Sequence, residues 1–252
     1  GVKLALQDLE KEGVSLNISV VDTEESSEVV GAKMDEYADS DVFIGPYDRD
    51  ALQVAATYAD DHDVPVISPW TPTIIPDSRS GNFIQAVPGL QTHADAAVRF
   101  TNRQYPEARY FLVATRENRD QGRMDIYRDV FNSVTSGEAV LEDLVVDKAA
   151  LTPDSNALTN LYDTSLTHVF FMPYYLRSEE AFVNSFLRKV HAEHGAANVV
   201  IMGLPQWLSY SSIDPDYLEN LKTNITAFQF VDNTDPDIRE FNRRYYNRYG
   251  GA

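Results

Sequence analysis

Short apolar runs alternate with helix-patterned segments along the whole chain, and several of those runs are apolar on both faces. The clearest unit is Asp41-Val-Phe-Ile-Gly-Pro-Tyr-Asp48, then a helix pattern, then Val64-Pro-Val-Ile-Ser-Pro-Trp-Thr71. It reads as a buried strand, a tight Gly-Pro turn, a crossover helix and a second strand ending on Ser68 and Pro69. Strands that are apolar on both sides need cover on both sides, which a parallel sheet wrapped in helices supplies. Ligands of such sheets sit beyond the carboxyl ends of the strands. Gly45-Pro46-Tyr47 and Ser68-Pro69-Trp70-Thr71 are therefore expected on one rim.

The rest of the chain can be placed around that unit. Val2, Leu4, Ala5, Leu6 and Leu9 recur at helical spacing, with Gly13 as the stop. Leu16-Asn-Ile-Ser-Val-Val-Asp22 alternates like a strand, and Thr23-Glu-Glu opens a helix running to about Ala38. A helix over 49–61 separates the strands at 42–45 and 64–68, residues 70–81 form a proline-rich loop, and 83–87 is a further strand. A helix through Gln104 and then Pro106 close this half. A second series follows: strands over 110–115, 139–146, 167–174, 198–203 and 226–232, and helices over 123–134, 157–164, 215–222 and from Ser178 onward. The terminal helix starts at Pro236 with Asp235 as its cap. Two such series joined near residue 107 predict two α/β lobes with a cleft between them.

Several functions are excluded or left without support. A formal charge of -18 argues against nucleic-acid binding and against anionic membrane surfaces. No cysteine is present, so thiol catalysis, cysteine-ligated zinc and disulfides are excluded, and no apolar run reaches membrane-span length. The chain has no Gly-x-Gly-x-x-Gly, Walker or nucleophile-elbow motif, and no cofactor is expected. His191-Ala-Glu-His194 lies in a last helical turn, where imidazoles answer the helix dipole. Asp60-Asp61-His62-Asp63 reads as a solvated turn, since consecutive residues cannot all point at one ion. Arg243-Arg-Tyr-Tyr-Asn-Arg-Tyr249 reads as a helix with its tyrosines packed inward and its arginines outward. The sequons at Asn17 and Asn224 read as chance.

Collected strand ends give the candidate site: Tyr47, Ser68, Trp70, Thr71, Gln85, Arg116, Tyr174, Tyr175, Gln206 and Trp207. Aromatic plates among hydroxyl and amide groups suit a small-molecule cleft better than acid–base catalysis, which needs a base beside a nucleophile. The bland alternative is that Tyr174, Tyr175 and Trp207 only close the lobes.

Gly1-Val-Lys-Leu-Ala-Leu, Val20-Val-Asp-Thr23, Ile44-Gly-Pro46, Val64-Pro-Val-Ile-Ser-Pro69 and Phe241-Asn-Arg-Arg-Tyr-Tyr-Asn-Arg-Tyr-Gly250, in this order, resemble the type I periplasmic binding protein fold and its branched-chain amino-acid receptor (leucine-binding protein) family. Gly203-Leu-Pro-Gln-Trp207, with Ile213-Asp-Pro-Asp-Tyr-Leu218, is similar to a bacterial subgroup in which this module follows LysM cell-wall-binding repeats. The resemblance implies two doubly wound Rossmann-like lobes, 1–107 with 232–252 and 108–231, that capture a ligand by closing. It also implies a strand before the first helix and further elements after the last, so the chain is expected to be trimmed at both ends. Ser68 matches a serine that holds the ligand carboxylate in these receptors, and Tyr174 or Tyr175 matches a tyrosine of the second lobe. The partner threonine falls on Ala86 or Val87, and the acid that takes the ligand ammonium falls on Pro205 or Gln206. Loss of such a charge-assisted contact, about 1.5–3 kcal/mol, argues against a free amino acid as ligand.

The expected function is therefore a non-enzymatic solute-binding domain, periplasmic or at the outer membrane or cell surface, for a polar metabolite or cell-wall fragment, with a transporter or cell-wall protein as partner. The alternative is a ligand-independent scaffold for peptidoglycan enzymes.

Overall fold

The computed structural model describes residues 2–48, 50–69, 81–116, 121–152, 154–228 and 231–250. Eight strands and eight α-helices are described, grouped in two compact units. The first holds the described residues up to Pro69, 81–84 and 231–250; the second holds 85–228. The chain thus passes between units at 84/85 and 228/229, whereas the lobe boundaries implied by the resemblance fall near 107 and 232.

The first unit carries α1 (Val2–Lys11), α2 (Ser27–Glu36), β1 (Phe43–Ile44), α3 (Leu52–His62), β2 (Val66–Ser68) and β3 (Phe83–Gln85), whose last residue is counted with the second unit, and α8 (Pro236–Tyr249). Its sheet runs β1-β2-β3, and β1 and β2 pair in parallel with Phe43 opposite Val66. Val30 and Met34 of α2 meet Ala55, Tyr58 and Ala59 of α3 over Val66, and the Tyr58 hydroxyl donates to the Met34 carbonyl at 3.0 Å. Helix α2 starts later than the expected Thr23: Glu24 and Glu25 both lie at φ 52, outside the helical region, and the Ser26 hydroxyl accepts from Val29 N–H as the cap.

The expected strand over residues 16–22 does not form. Among the described residues no strand pairs with this run. Leu16, Ile18 and Val20 stay 53, 50 and 94% exposed, and Ile44 on the outer side of β1 stays 73% exposed. The terminal helix also differs from expectation. Asp235 does cap it, but α8 buries no residue, and Tyr246 and Tyr249 lie outside instead of packing inward. Its anchor is Arg244, 2.8 Å from Asp8 of α1; this contact, with a second one from Lys11, lowers the Asp8 carboxyl to about 2.

The second unit carries α4 (Leu90–Gln104), β4 (Arg109–Thr115), α5 (Gln121–Thr135), β5 (Leu141–Val146), β6 (Thr167–Phe171), α6 (Glu180–Glu193), β7 (Asn198–Gly203), α7 (Pro215–Asn220) and β8 (Asn224–Ile225). All five strands are parallel, in the order β5-β4-β6-β7-β8. Residues 110–114 of β4, 169–171 of β6 and 199–202 of β7 are buried, with α4, α5 and α6 supplying the cover that strands apolar on both faces require. Two expectations fail here. Within the expected helix 157–164 only a 3-10 turn at 159–161 forms, and the last described strand lies at 224–225, ahead of the expected 226–232, of which 229 and 230 lie outside the described residues.

Two buried histidines are expected to make this unit acid-sensitive. His168 is fully buried on β6, where its Nε2 accepts from Asp163 N–H at 3.1 Å. His93 on α4 meets the Thr226 hydroxyl at 2.9 Å. Burial holds both below the ordinary imidazole range, and the Arg109 guanidinium adds to this at His168. The native state therefore binds fewer protons than the unfolded chain, so this stability is complete above about pH 6.5 and is lost as pH falls through the lowered values. The urea midpoint is expected to drop between about pH 7.5 and 5.5, with a shallower slope in a His93→Gln, His168→Gln variant.

Candidate functional site

In the first unit the described rim residues lie at the carboxyl ends of β1 and β2. Pairing of β1 with β2 continues one step past the strand, with Gly45 N–H donating to Ile67 O at 2.8 Å. This sets Gly45-Pro46-Tyr47 beside Ser68 at the carboxyl ends. Tyr47 is 74% exposed. Ser68 is the opposite: it is fully buried, and its hydroxyl has no hydrogen-bond partner among the described residues. Gln85 closes β3 and is half-buried. Trp70 and Thr71 lie outside the described residues.

In the second unit Arg116 follows β4 and is exposed, and the segments after β6 and β7 bring Tyr174, Tyr175, Gln206 and Trp207 to the same carboxyl-end rim. These four divide into two kinds. Tyr174 and Trp207 are each 1% exposed and belong to the core. The Tyr174 ring packs on Phe182 at 4.8 Å between centroids, and the Trp207 indole N–H donates to Tyr174 O at 2.7 Å. Tyr175 is half-buried and Gln206 is exposed; unlike the two rings, neither belongs to the core.

The loop from Pro173 to Leu176 has no regular structure of its own and is held by side chains. Arg123 of α5 donates to Pro173 O at 3.1 Å and forms a two-pronged ion pair with Glu179 at 2.8 and 3.1 Å. Glu179 also accepts from Tyr175 N–H at 3.0 Å and Leu176 N–H at 2.9 Å. The Arg123 guanidinium lies 4.7 Å from the Tyr175 ring centroid. Tyr210 donates its hydroxyl to Leu176 O at 2.8 Å, and burial, with Glu179 and Glu180 nearby, pushes that phenol up to about 12, so it remains a donor.

Sequence reading missed Arg123 and Glu179. Glu179 falls only within the helix expected from Ser178 onward, and an ion pair between residues far apart in sequence leaves no local pattern. The helix α6 in fact begins at Glu180, after a 3-10 turn over 177–179.

The described residues hold no helix long and apolar enough to cross a membrane. Comparison with known families matches residues 1–251 to the receptor family ligand binding region. Among solved structures, the chain is similar to an ABC transporter substrate-binding protein from Desulfitobacterium hafniense, at 16% identity over 98% of this chain and 71% of that one, with a TM-score of 0.60. The structure of an ABC transporter substrate-binding protein from that organism in complex with Leu gives 15% identity, the same coverage and a TM-score of 0.56. An ABC-type branched-chain amino acid transporter from Rhodopseudomonas palustris gives 11% identity over 99% and 68%, with a TM-score of 0.58. At such identities the likeness establishes the fold, the α/β type I periplasmic binding protein architecture with parallel sheets. No curated protein sequence matches the chain.

Proposed function

Since the chain belongs to the receptor family of ligand-binding regions, we propose that it is a non-enzymatic, extracytoplasmic solute-binding domain whose contacts come from the carboxyl-end rims of its sheets. The lobes we propose are 1–107 with 232–252, and 108–231. Tyr47, Ser68, Trp70, Thr71, Gln85, Arg116, Tyr175 and Gln206 are the proposed contacts. Tyr174 and Trp207 serve from behind as the packing that fixes the rim. The partner is a transporter or cell-wall protein.

The observation that carries this reading is Ser68. A buried hydroxyl without a partner costs roughly 1–3 kcal/mol, and a solute that bonds to it recovers that cost. The proposed solute is polar and lacks the ammonium of a free amino acid, because the rim after β7, Gly203-Leu-Pro-Gln206, offers no carboxylate.

A melting screen against amino acids, nucleosides, sugars and muropeptides tests this. A solute at about 100 times its Kd adds about 2.7 kcal/mol, a shift of several degrees. Ser68→Ala is expected to have opposite effects on the free and loaded protein. The free protein should hold its stability or gain up to about 1 kcal/mol, while solute affinity falls about tenfold. Equal affinity in wild type and Ser68→Ala would move the site elsewhere.

A second reading, a ligand-independent scaffold for peptidoglycan enzymes in the subgroup linked to LysM repeats, draws support from Tyr174 and Trp207. Both rings are committed to the core, which leaves fewer aromatic surfaces for a solute. A flat melting screen across the panel would favour it.

A further inference from the structure

The loop after β6 carries Tyr175, the one aromatic side chain of the second unit's expected contacts that remains half-exposed. Irregular loops normally leave their main-chain groups to water. This loop does not. Pro173 O is taken by Arg123, Tyr174 O by Trp207, Tyr175 and Leu176 N–H by Glu179, and Leu176 O by Tyr210. At the centre is one pair, Arg123 and Glu179, whose side chains are only 10 and 3% exposed.

Burying two opposite charges is not in itself stabilising; a pair of apolar residues of similar volume does as well or better. The charges are therefore better explained by what they hold. Two features of the pair fit this. One of its oxygens, Oε2, accepts from Arg123 and from two successive amides of the loop, while Arg123 offers a donor to Pro173 O and a flat cationic face to the Tyr175 ring.

We infer that Arg123 and Glu179 are positioning residues, which hold the 173–176 loop, and with it the Tyr175 ring, in one arrangement before any solute arrives. The inference rests on the solute-binding reading for its purpose. A preformed rim avoids ordering the loop at the moment of binding, a cost that would otherwise come out of affinity.

The experiment uses the solute-free protein and hydrogen exchange resolved at the amides of Tyr175 and Leu176. The variant Arg123→Met, Glu179→Leu removes both charges while keeping volume, and should melt within a few degrees of wild type. Its Tyr175 and Leu176 amides should exchange about tenfold faster or more, while amides of β4 and β7 keep their protection. The charge swap Arg123→Glu, Glu179→Arg provides the second arm. A pair that merely contributed charge attraction would be rescued by the swap, whereas arginine at 179 cannot accept from two amides, so those amides stay fast. Two results overturn the inference: unchanged exchange at both amides in the apolar variant, or full recovery in the swap. Because no solute enters the measurement, its failure is separate from failure of the solute-binding reading, which the melting screen decides.

Discussion

Trp207→Ala is expected to cost about 3–5 kcal/mol, the range for emptying a buried large aromatic, and Gly203→Ala is expected to destabilise the same spot from the other side. Trp207 is 1% exposed and its indole N–H is fixed to Tyr174 O at 2.7 Å. Gly203, at the end of β7, lies directly beneath the ring: a Cβ there would meet three of its carbons at 2.6, 2.7 and 2.9 Å. Those atoms belong to the fused ring system, not to a flexible tip. Relief needs a shift of the whole indole, and with it loss of the hydrogen bond that holds the loop after β6. Overpacking of this kind costs roughly 1–3 kcal/mol, to which the broken bond adds about 1. Urea unfolding monitored by far-UV circular dichroism measures both variants. A Gly203→Ala midpoint equal to wild type would show that the ring can move, and would remove the case for Trp207 as a rigid support of the rim.

That pair also shows where sequence reading stops. Trp207 is an aromatic residue just past a strand, and by residue type it belongs with the rim contacts. Its burial depends on Gly203 leaving room four residues earlier and on Tyr174, a residue of another strand's end, offering a carbonyl. Neither is a property of residue 207. Elements fixed by neighbours in the chain were legible: Asp235 capping Pro236, Gly13 after α1, and the alternation that yields the parallel sheet of the second unit. Elements that depend on distant partners were not. Residues 16–22 have the alternation of a strand, but a strand exists only by pairing, and no described strand pairs with them. At the site, Ser68 was legible as a strand-end hydroxyl, while Arg123 and Glu179, joined only in space, were not.

The expected helix over 157–164 failed for a related reason, and it leads to the second large effect. Lys189 and Glu193 lie one turn apart on α6, 2.6 Å from each other and 3 and 8% exposed. Instead of simply pairing on the helix surface, they bind the segment before β6. Lys189 donates to Thr152 O at 2.9 Å and to Ser155 O, while Glu193 accepts from Leu158 N–H at 2.8 Å and from the Thr159 hydroxyl at 3.0 Å. With two carbonyls, one amide and one hydroxyl of the segment taken by α6, it forms a short 3-10 turn at 159–161 instead of a helix.

Lys189→Met should therefore cost about 3–5 kcal/mol, because it strands a buried carboxylate and two carbonyls at once. The pH dependence gives the cross-check. In the wild type burial pushes the Glu193 carboxyl up, but Lys189, Leu158 N–H and the Thr159 hydroxyl outweigh it and hold the group below its ordinary value. That stability is present above about pH 4.5 and is lost as pH falls through the lowered value. Without Lys189 burial dominates and the carboxyl rises instead, so protonation relieves the variant. The stability gap between wild type and Lys189→Met should thus narrow from about pH 7 to about pH 4. Lys189→Met, Glu193→Leu should recover most of the loss at neutral pH, since no charge is then left alone. Denaturant midpoints at both pH values decide it: a gap that is constant with pH would mean that lost packing around the lysine stem, and not the stranded carboxylate, sets the cost.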